Sequence, residues 1–314
     1  MTEPATQALR AYMETCRGDI DAALDRFLPR PPACPPVLSE AMRYSALAGG
    51  KRLRPVLALA AAEAVSRGRE ATRALVLPSA AAIEMIHTYS LIHDDLPAMD
   101  NDTLRRGRPT LHVAYDEGIA ILAGDALLAE AFSLLTREPL TAPGVPADVL
   151  AARKLRVIRL IADAAGASGM VGGQVIDLQA AAPDAPPMDA DALRGMHARK
   201  TGALIRAAAG AGAIMGGGSS TDVDAIDRYA TELGLAFQIV DDILDVEGDT
   251  VALGKTAGKD AAAGKPTYPA LFGLDESRRL ARACIERAHA ALDAAGLRDS
   301  RLAEIADWVV ARTH

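Results

Sequence analysis

Two runs of carboxylates, DDLPAMD at positions 94–100 and DDILD at positions 241–245, hold the residues of this chain best equipped for chemistry. Each closes a long apolar segment with helical spacing. Asp241 and Asp245 are four residues apart, so on a helix both leave one face, about 6 Å apart along the axis, with Asp242 rotated away. Their neighbours Phe237, Ile239, Val240, Ile243, Leu244 and Val246 mark that helix as largely buried. Three aspartates there repel one another unless cations compensate them. In the first run Asp94 and Asp95 end the segment IEMIHTYSLIH. Pro97 then stops regular helix, so Asp100 has to return by a turn. Asn101 and Asp102 add further oxygen donors. Such donors suit Mg²⁺, a hard octahedral cation that keeps waters and takes one or two carboxylates together with phosphate oxygens. The pair of runs implies a diphosphate held by metal ions between two helix ends. A single acidic run would more simply be a solvated loop.

Cationic groups stand where such an anion would need them. LRRGRPT at 104–110 follows the first acidic run and keeps Arg105 and Arg106 close to it; planar guanidinium groups suit bidentate phosphate binding. GGKRLRP at 49–55 offers Lys51 and Arg54, one turn apart at a helix start, where backbone N–H groups also favour anions. It is not a P-loop, since the first glycine of that spacing and the hydroxyl after the lysine are missing. HARKTGALI places Lys200 and Thr201 on a helix, and Lys255, Lys259 and Lys265 follow the second acidic run in a glycine-rich stretch that reads as a closing loop. His87, two turns before Asp94 on an apolar helix, would ordinarily be a hydrogen-bonded core residue.

The elements that must position these groups are helical. Alanine is abundant, aromatics are 4% of the chain, and apolar residues recur at three-to-four spacing with little strand-like alternation. Roughly ten helices are expected: near 6–27, 38–48, 54–66, 73–93, 119–136, 147–164, 168–179, 190–215, 222–247, 277–295 and 301–312. Breakers separate them, including PRPPACPP at 29–36, PLTAPGVP at 139–146, APDAPPMD at 182–189 and GGGSSTD at 216–222. With 314 residues, 50% of them hydrophobic, and no shift in composition, the chain reads as one domain over 1–314, opened by a helix and Pro-rich connector over about 1–36. A net charge of −7 argues against a nucleic-acid surface. Three scattered cysteines make neither a disulfide framework nor a zinc site and fit a reducing, cytoplasmic setting. No signal peptide and no membrane span are expected from the N-terminal residues or from any uncharged apolar run.

The motifs GGKRLRP, HTYSLIHDDLPAMDNDTLRRGRPTLH, GGQVIDL, RKTGALI, FQIVDDILDVEGDT and GKPTYPAL, in that order, resemble the short-chain trans-prenyl diphosphate synthases, the bacterial farnesyl diphosphate synthases most of all. The likeness runs from about position 44 to the C-terminus. Four residues separate the first aspartate pair from Asp100, as in the bacterial type. The resemblance implies an all-α isoprenoid synthase fold, a single helical bundle around a deep central cavity, usually in a homodimer. It implies Mg²⁺-dependent head-to-tail condensation of isopentenyl diphosphate with dimethylallyl or geranyl diphosphate, with three ions bound alongside the diphosphate. Carried over by motif, Asp94, Asp100 and Asp241 would be direct Mg²⁺ ligands, with Asp95, Asp242 and Asp245 orienting them or holding metal-bound waters; Asp245 also counts as a metal residue by its place on the helix face. Arg105, Lys200, Gln238 and Lys255 would grip the allylic diphosphate beside Thr201, with Lys265 in the same loop. Lys51, Arg54, His87 and Arg106 would bind isopentenyl diphosphate, and Arg312 would help close the site. In this family the departing diphosphate takes the proton, which agrees with the absence of an evident general base.

Chain length is expected to be set on the helix that carries Asp94. Tyr89 and Ser90 lie five and four residues before it, about 6–8 Å down the axis. A bulky Tyr89 would be a floor that stops the product near fifteen carbons, giving farnesyl diphosphate, with geranylgeranyl diphosphate as the alternative product. Other classes fit less well. A non-catalytic prenyl-diphosphate-binding subunit would be expected to lose part of the second acidic run or its lysines. An HD-type phosphohydrolase, suggested by His93-Asp94, needs a histidine upstream of His87, the first in the chain. A terpene cyclase would not need Lys51, Arg54 and His87.

Overall fold

The structure is a computed structural model that describes residues 3–67, 72–182, 186–247 and 266–312. Helices follow one another along the chain: α1 (Glu3–Phe27), α2 (Pro36–Ala46), α3 (Leu53–Ser66), α4 (Thr72–Asp94), α5 (Leu111–Ala114), α6 (Glu117–Arg137), α7 (Ala147–Ala165), α8 (Met170–Ala180), α9 (Ala190–His197), α10 (Ala203–Met215), α11 (Ser220–Glu247), α12 (Tyr268–Phe272), α13 (Leu274–Asp293) and α14 (Arg301–Ala311). The expected all-α isoprenoid synthase fold is what forms. Where 190–215 reads as one helix, α9 and α10 are joined in line by a π-turn, Ala198–Gly202, which carries Lys200 and Thr201. A two-residue hairpin, β1 (Leu104–Arg105) with β2 (Arg108–Pro109), escapes sequence reading because so short a ladder has no periodicity to detect.

The core centres on α10, which packs against α3, α4, α7 and α11. Apart from Arg206, exposed and paired with Asp227, its residues are alanine, glycine and other apolar side chains, nearly all buried, so backbones approach closely. A Cβ on Gly212 would stand 2.0 Å from the Ala58 carbonyl oxygen of α3. Tight backbone contact of this kind replaces side-chain bulk in an alanine-rich bundle. α6 lies against α4, α13 against α11, and α1 against α3 and α4. By length and composition α4 and α6 would each suit a membrane span, yet 72% of the most apolar window of α4 is buried inside the bundle as in a core helix, while α6 packs one face along α4 with 39% of its window buried.

Candidate active site

Helix α4 delivers the first acidic run. Its last turn ends at Asp94, after which backbone bonds from Asp100 N–H to the Asp94 carbonyl (2.8 Å), Asn101 N–H to Leu96 and Asp102 N–H to Asp95 fold the chain back. Asn101 takes the left-handed conformation that this reversal needs. Asp100 returns beside Asp94 by that turn, as Pro97 requires. Asp95, 3% exposed, accepts Arg105 in a fork: Nε at 2.8 and 2.9 Å and Nη2 at 2.5 Å. Arg105 thus locks the acidic turn and orients it, with Asp102 3.7 Å away. Arg106, exposed, caps the Gly49 carbonyl and lies against Gly50, whose φ of +121° suits glycine alone; a Cβ there would meet the guanidinium.

Lys51 and Arg54 flank a residue to which sequence reading gives no role. Arg52 adopts a left-handed conformation at the start of α3 while its side chain is buried. It binds Glu84 on α4 at 2.7 Å, Asp21 on α1 at 2.8 Å and the Ala46 carbonyl at 2.6 Å. This ion pair ties α3 to α4 and so fixes where Arg54 stands. The Arg54 Nε is buried with no hydrogen-bond partner. Lys51 is exposed at the mouth of the turn.

A cavity of about 320 Å³ gathers Arg54, His87, Tyr89, Ser90, Asp94, Lys200 and Thr201 from the expected set. Its remaining wall comes from Leu91 and His93 of α4, from Met99, and from α8 with Met170, Val171, Gln174, Val175 and Leu178. The lining combines the charged groups of Arg54, Asp94 and Lys200 with apolar side chains of α8. Desolvation pushes Asp94 up to about 6; Lys200 and Arg105 pull the other way, and Asp100 and Asp95 add to the rise. Desolvation and then the guanidinium groups of Arg54, Arg106, Arg105 and Arg52 hold His87 well below its usual value, so its imidazole is neutral near pH 7. Sequence reading also gives no role to Gln174 and Asp177, although both lie in GGQVIDL, three residues apart on one face of α8. Both amide atoms of Gln174 are buried without partners, and Asp177 receives Lys200 Nζ at 2.5 Å. Gly173 lets α8 approach the π-turn backbone, since a Cβ there would lie 2.2 Å from the Lys200 main-chain nitrogen.

Lys200 also lines a second, smaller cavity of about 80 Å³ with Asp177, His197, Gln238, Asp242 and Thr267. It is therefore the link between the α4 and α11 sides. Thr201 donates to Gln238 (3.0 Å), and Gln238 Nε2 donates to Asp242 (3.0 Å). The other Asp242 oxygen accepts the Tyr268 N–H at 3.0 Å, which anchors α12. Asp242 is thus a strut that holds helices in place. Of the second acidic run Asp241 is the accessible carboxylate, its side chain 39% exposed, with Arg312 Nη2 at 2.9 Å. Asp245, expected on the same helix face as Asp241, is 5% exposed. Lys255, Lys259 and Lys265 lie outside the described residues.

Among the described residues no three His, Cys, Asp or Glu side chains converge into a metal cage. Mg²⁺ does not require one, since phosphate oxygens and waters complete its shell. The acidic donors are carboxylates, the hard oxygen ligands this cation takes, and Asp94, raised first by desolvation and also by Asp100 and Asp95, is a carboxylate whose ionised form a bound cation would favour.

The sequence matches the polyprenyl synthetase family over residues 35–296. The chain belongs to that family. This polyprenyl synthetase is 44% identical over 310 residues to a dimethylallyltranstransferase of Fischerella ambigua, covering 99% of this chain and 85% of that one. It is 42% identical over 306 residues to a geranylgeranyl diphosphate synthase of Cyanophora paradoxa, covering 98% and 97%. The crystal structure of an FPP/GFPP synthase from Zymomonas mobilis superposes with a TM-score of 0.83 at 41% identity, over 97% and 99% of the two chains. The fold and the prenyltransferase class of the enzyme follow.

Proposed function

We propose that this synthetase condenses isopentenyl diphosphate with dimethylallyl and then geranyl diphosphate and releases farnesyl diphosphate. The observation that carries this reading is that one cavity is lined by Asp94, Arg54 and Lys200, by the apolar side chains of α8 and by Tyr89. Tyr89 sits about 7.5 Å below Asp94 along α4, at 1.5 Å per residue. It is 7% exposed, and its ring meets His93 edge-on at 5.7 Å. His93 in turn bonds the Ile121 carbonyl of α6 at 3.1 Å. A floor braced from the neighbouring helix resists an advancing chain better than an isolated side chain would.

Asp94, Asp100 and Asp241 would hold Mg²⁺, which would supply positive charge against the diphosphate. Lys200, already oriented by Asp177, stands to stabilise negative charge developing on the leaving group, while Arg54, set by the Arg52 scaffold, stands to hold the second diphosphate. Val171, Val175 and Leu178 give the allylic cation no nucleophile and displace water from it. Neutral His87 can donate one hydrogen bond to the second diphosphate without adding charge to a ring of arginines.

A twenty-carbon product is the second reading, favoured by the geranylgeranyl name of the Cyanophora relative. Purified protein incubated with Mg²⁺, isopentenyl diphosphate and either dimethylallyl or geranyl diphosphate decides between them by chromatography. Fifteen carbons from both substrates supports the Tyr89 floor, twenty discards the floor and keeps the chemistry, and no condensation rejects the enzyme reading.

A further inference from the structure

The contact between Arg312 and Asp241 has a chemistry of its own. Arg312 follows α14 directly, and its side chain is 1% exposed. Its guanidinium lies over the Phe237 ring at 4.1 Å and 5.9 Å from that of Trp308. Nε donates to the Val309 carbonyl and Nη2 to the Phe237 carbonyl, each at 3.2 Å. Those bonds fix the plane of the group so that Nη2 also reaches Asp241 Oδ1 at 2.9 Å. Asp241 is the accessible carboxylate of its run, and its field also reaches Arg54.

We infer that Arg312 is a resident counter-cation that occupies the Asp241 carboxylate in the metal-free enzyme and competes with the divalent ion for it. This rests on the synthase reading for the identity of Asp241 as a metal ligand. A guanidinium held by stacking and two backbone carbonyls cannot follow Asp241 as it turns to a metal. Occupancy of the α11 side is therefore opposed until an incoming ion, with diphosphate charge behind it, outbids the pair. The contact makes metal capture by α11 conditional and keeps a lone Asp241 from binding stray cations.

The test uses the full chain and Mn²⁺ as the probe, its binding to substrate-free protein read by the loss of its free EPR signal. Arg312→Met keeps the packing stem and removes the charge; Arg312→Gln keeps a hydrogen-bond donor and serves equally if the methionine variant does not fold. Either should bind Mn²⁺ about fivefold more tightly than wild type, the change expected when a partly exposed ion pair is lost. Arg312→Lys should stay near wild type, and the gain should vanish when Asp241→Asn is added to the neutral variant. Unchanged affinity in the neutral variants, or an equal gain in Arg312→Lys, overturns the inference. A condensation assay run alongside separates the two readings. An Arg312-dependent affinity in a protein that makes no prenyl product supports the counter-cation while rejecting the function, and normal condensation with no Arg312 effect overturns the counter-cation alone.

Discussion

Asp94→Asn should stabilise the metal-free protein while abolishing turnover. In the fold, burial raises this carboxyl from 3.8 to about 6 even after the attraction of Lys200 and Arg105. Two pH units at 1.36 kcal/mol each amount to about 3 kcal/mol, which solvent reaching a half-buried group reduces to about 1–2 kcal/mol. The sign follows from linkage. Between pH 3.8 and about 6 the native state holds a proton that the unfolded state has lost, so stability falls as pH rises. Above pH 6 both states are ionised and the deficit stays constant. The asparagine variant never acquires that deficit. Paired thermal melts in EDTA at pH 4.5, 6 and 7.5 would show the variant's advantage growing to pH 6 and then levelling, at roughly 2–4 °C. Comparing the pair at each pH cancels the other carboxylates. Mg²⁺ with inorganic diphosphate, at about a hundred times its dissociation constant, should then stabilise wild type by about 2.7 kcal/mol and reverse the order. A variant less stable than wild type in EDTA at pH 7.5 would refute the claim that Asp94 is held ionised at a cost.

Tyr89→Ala should shift the product from fifteen toward twenty carbons or beyond, seen by chromatography of the released alcohols; an unchanged distribution sinks the floor. Arg52→Met leaves Glu84, 1% exposed, without its principal counter-ion and should cost about 3–5 kcal/mol in urea unfolding, part of it recovered by adding Glu84→Gln. Recovery failing altogether would mean that Arg52 acts through packing instead. Gly173→Ala forces α8 away from the π-turn, so KM for the allylic substrate should rise several-fold with a stability loss of about 1–3 kcal/mol. Wild-type KM in that variant would show that Lys200 does not depend on this close approach.

The helices at 73–93 and 222–247 were legible because long apolar periodicity survives any packing detail, and the return of Asp100 followed from Pro97 alone. The π-turn was not, since each residue in ARKTG is locally compatible with ordinary helix and only the approach of Gly173 to Lys200 reveals why the ladder is re-spaced there. Gln174 and Asp177 stood in view within GGQVIDL, yet an amide and a carboxylate on a helix carry no chemistry until the partner, Lys200, is known to face them. Residue type and order by themselves determined the all-α architecture, the two oxygen-donor runs and the cations nearby, because these depend on local periodicity and on which atoms each side chain carries. Tertiary structure alone decided that Asp95 and Asp242 serve as struts, that Asp241 faces Arg312, and that Asp94 is raised to about 6. Burial, charge pairing and hydrogen-bond saturation arise only when distant segments meet, and a linear string does not contain those distances.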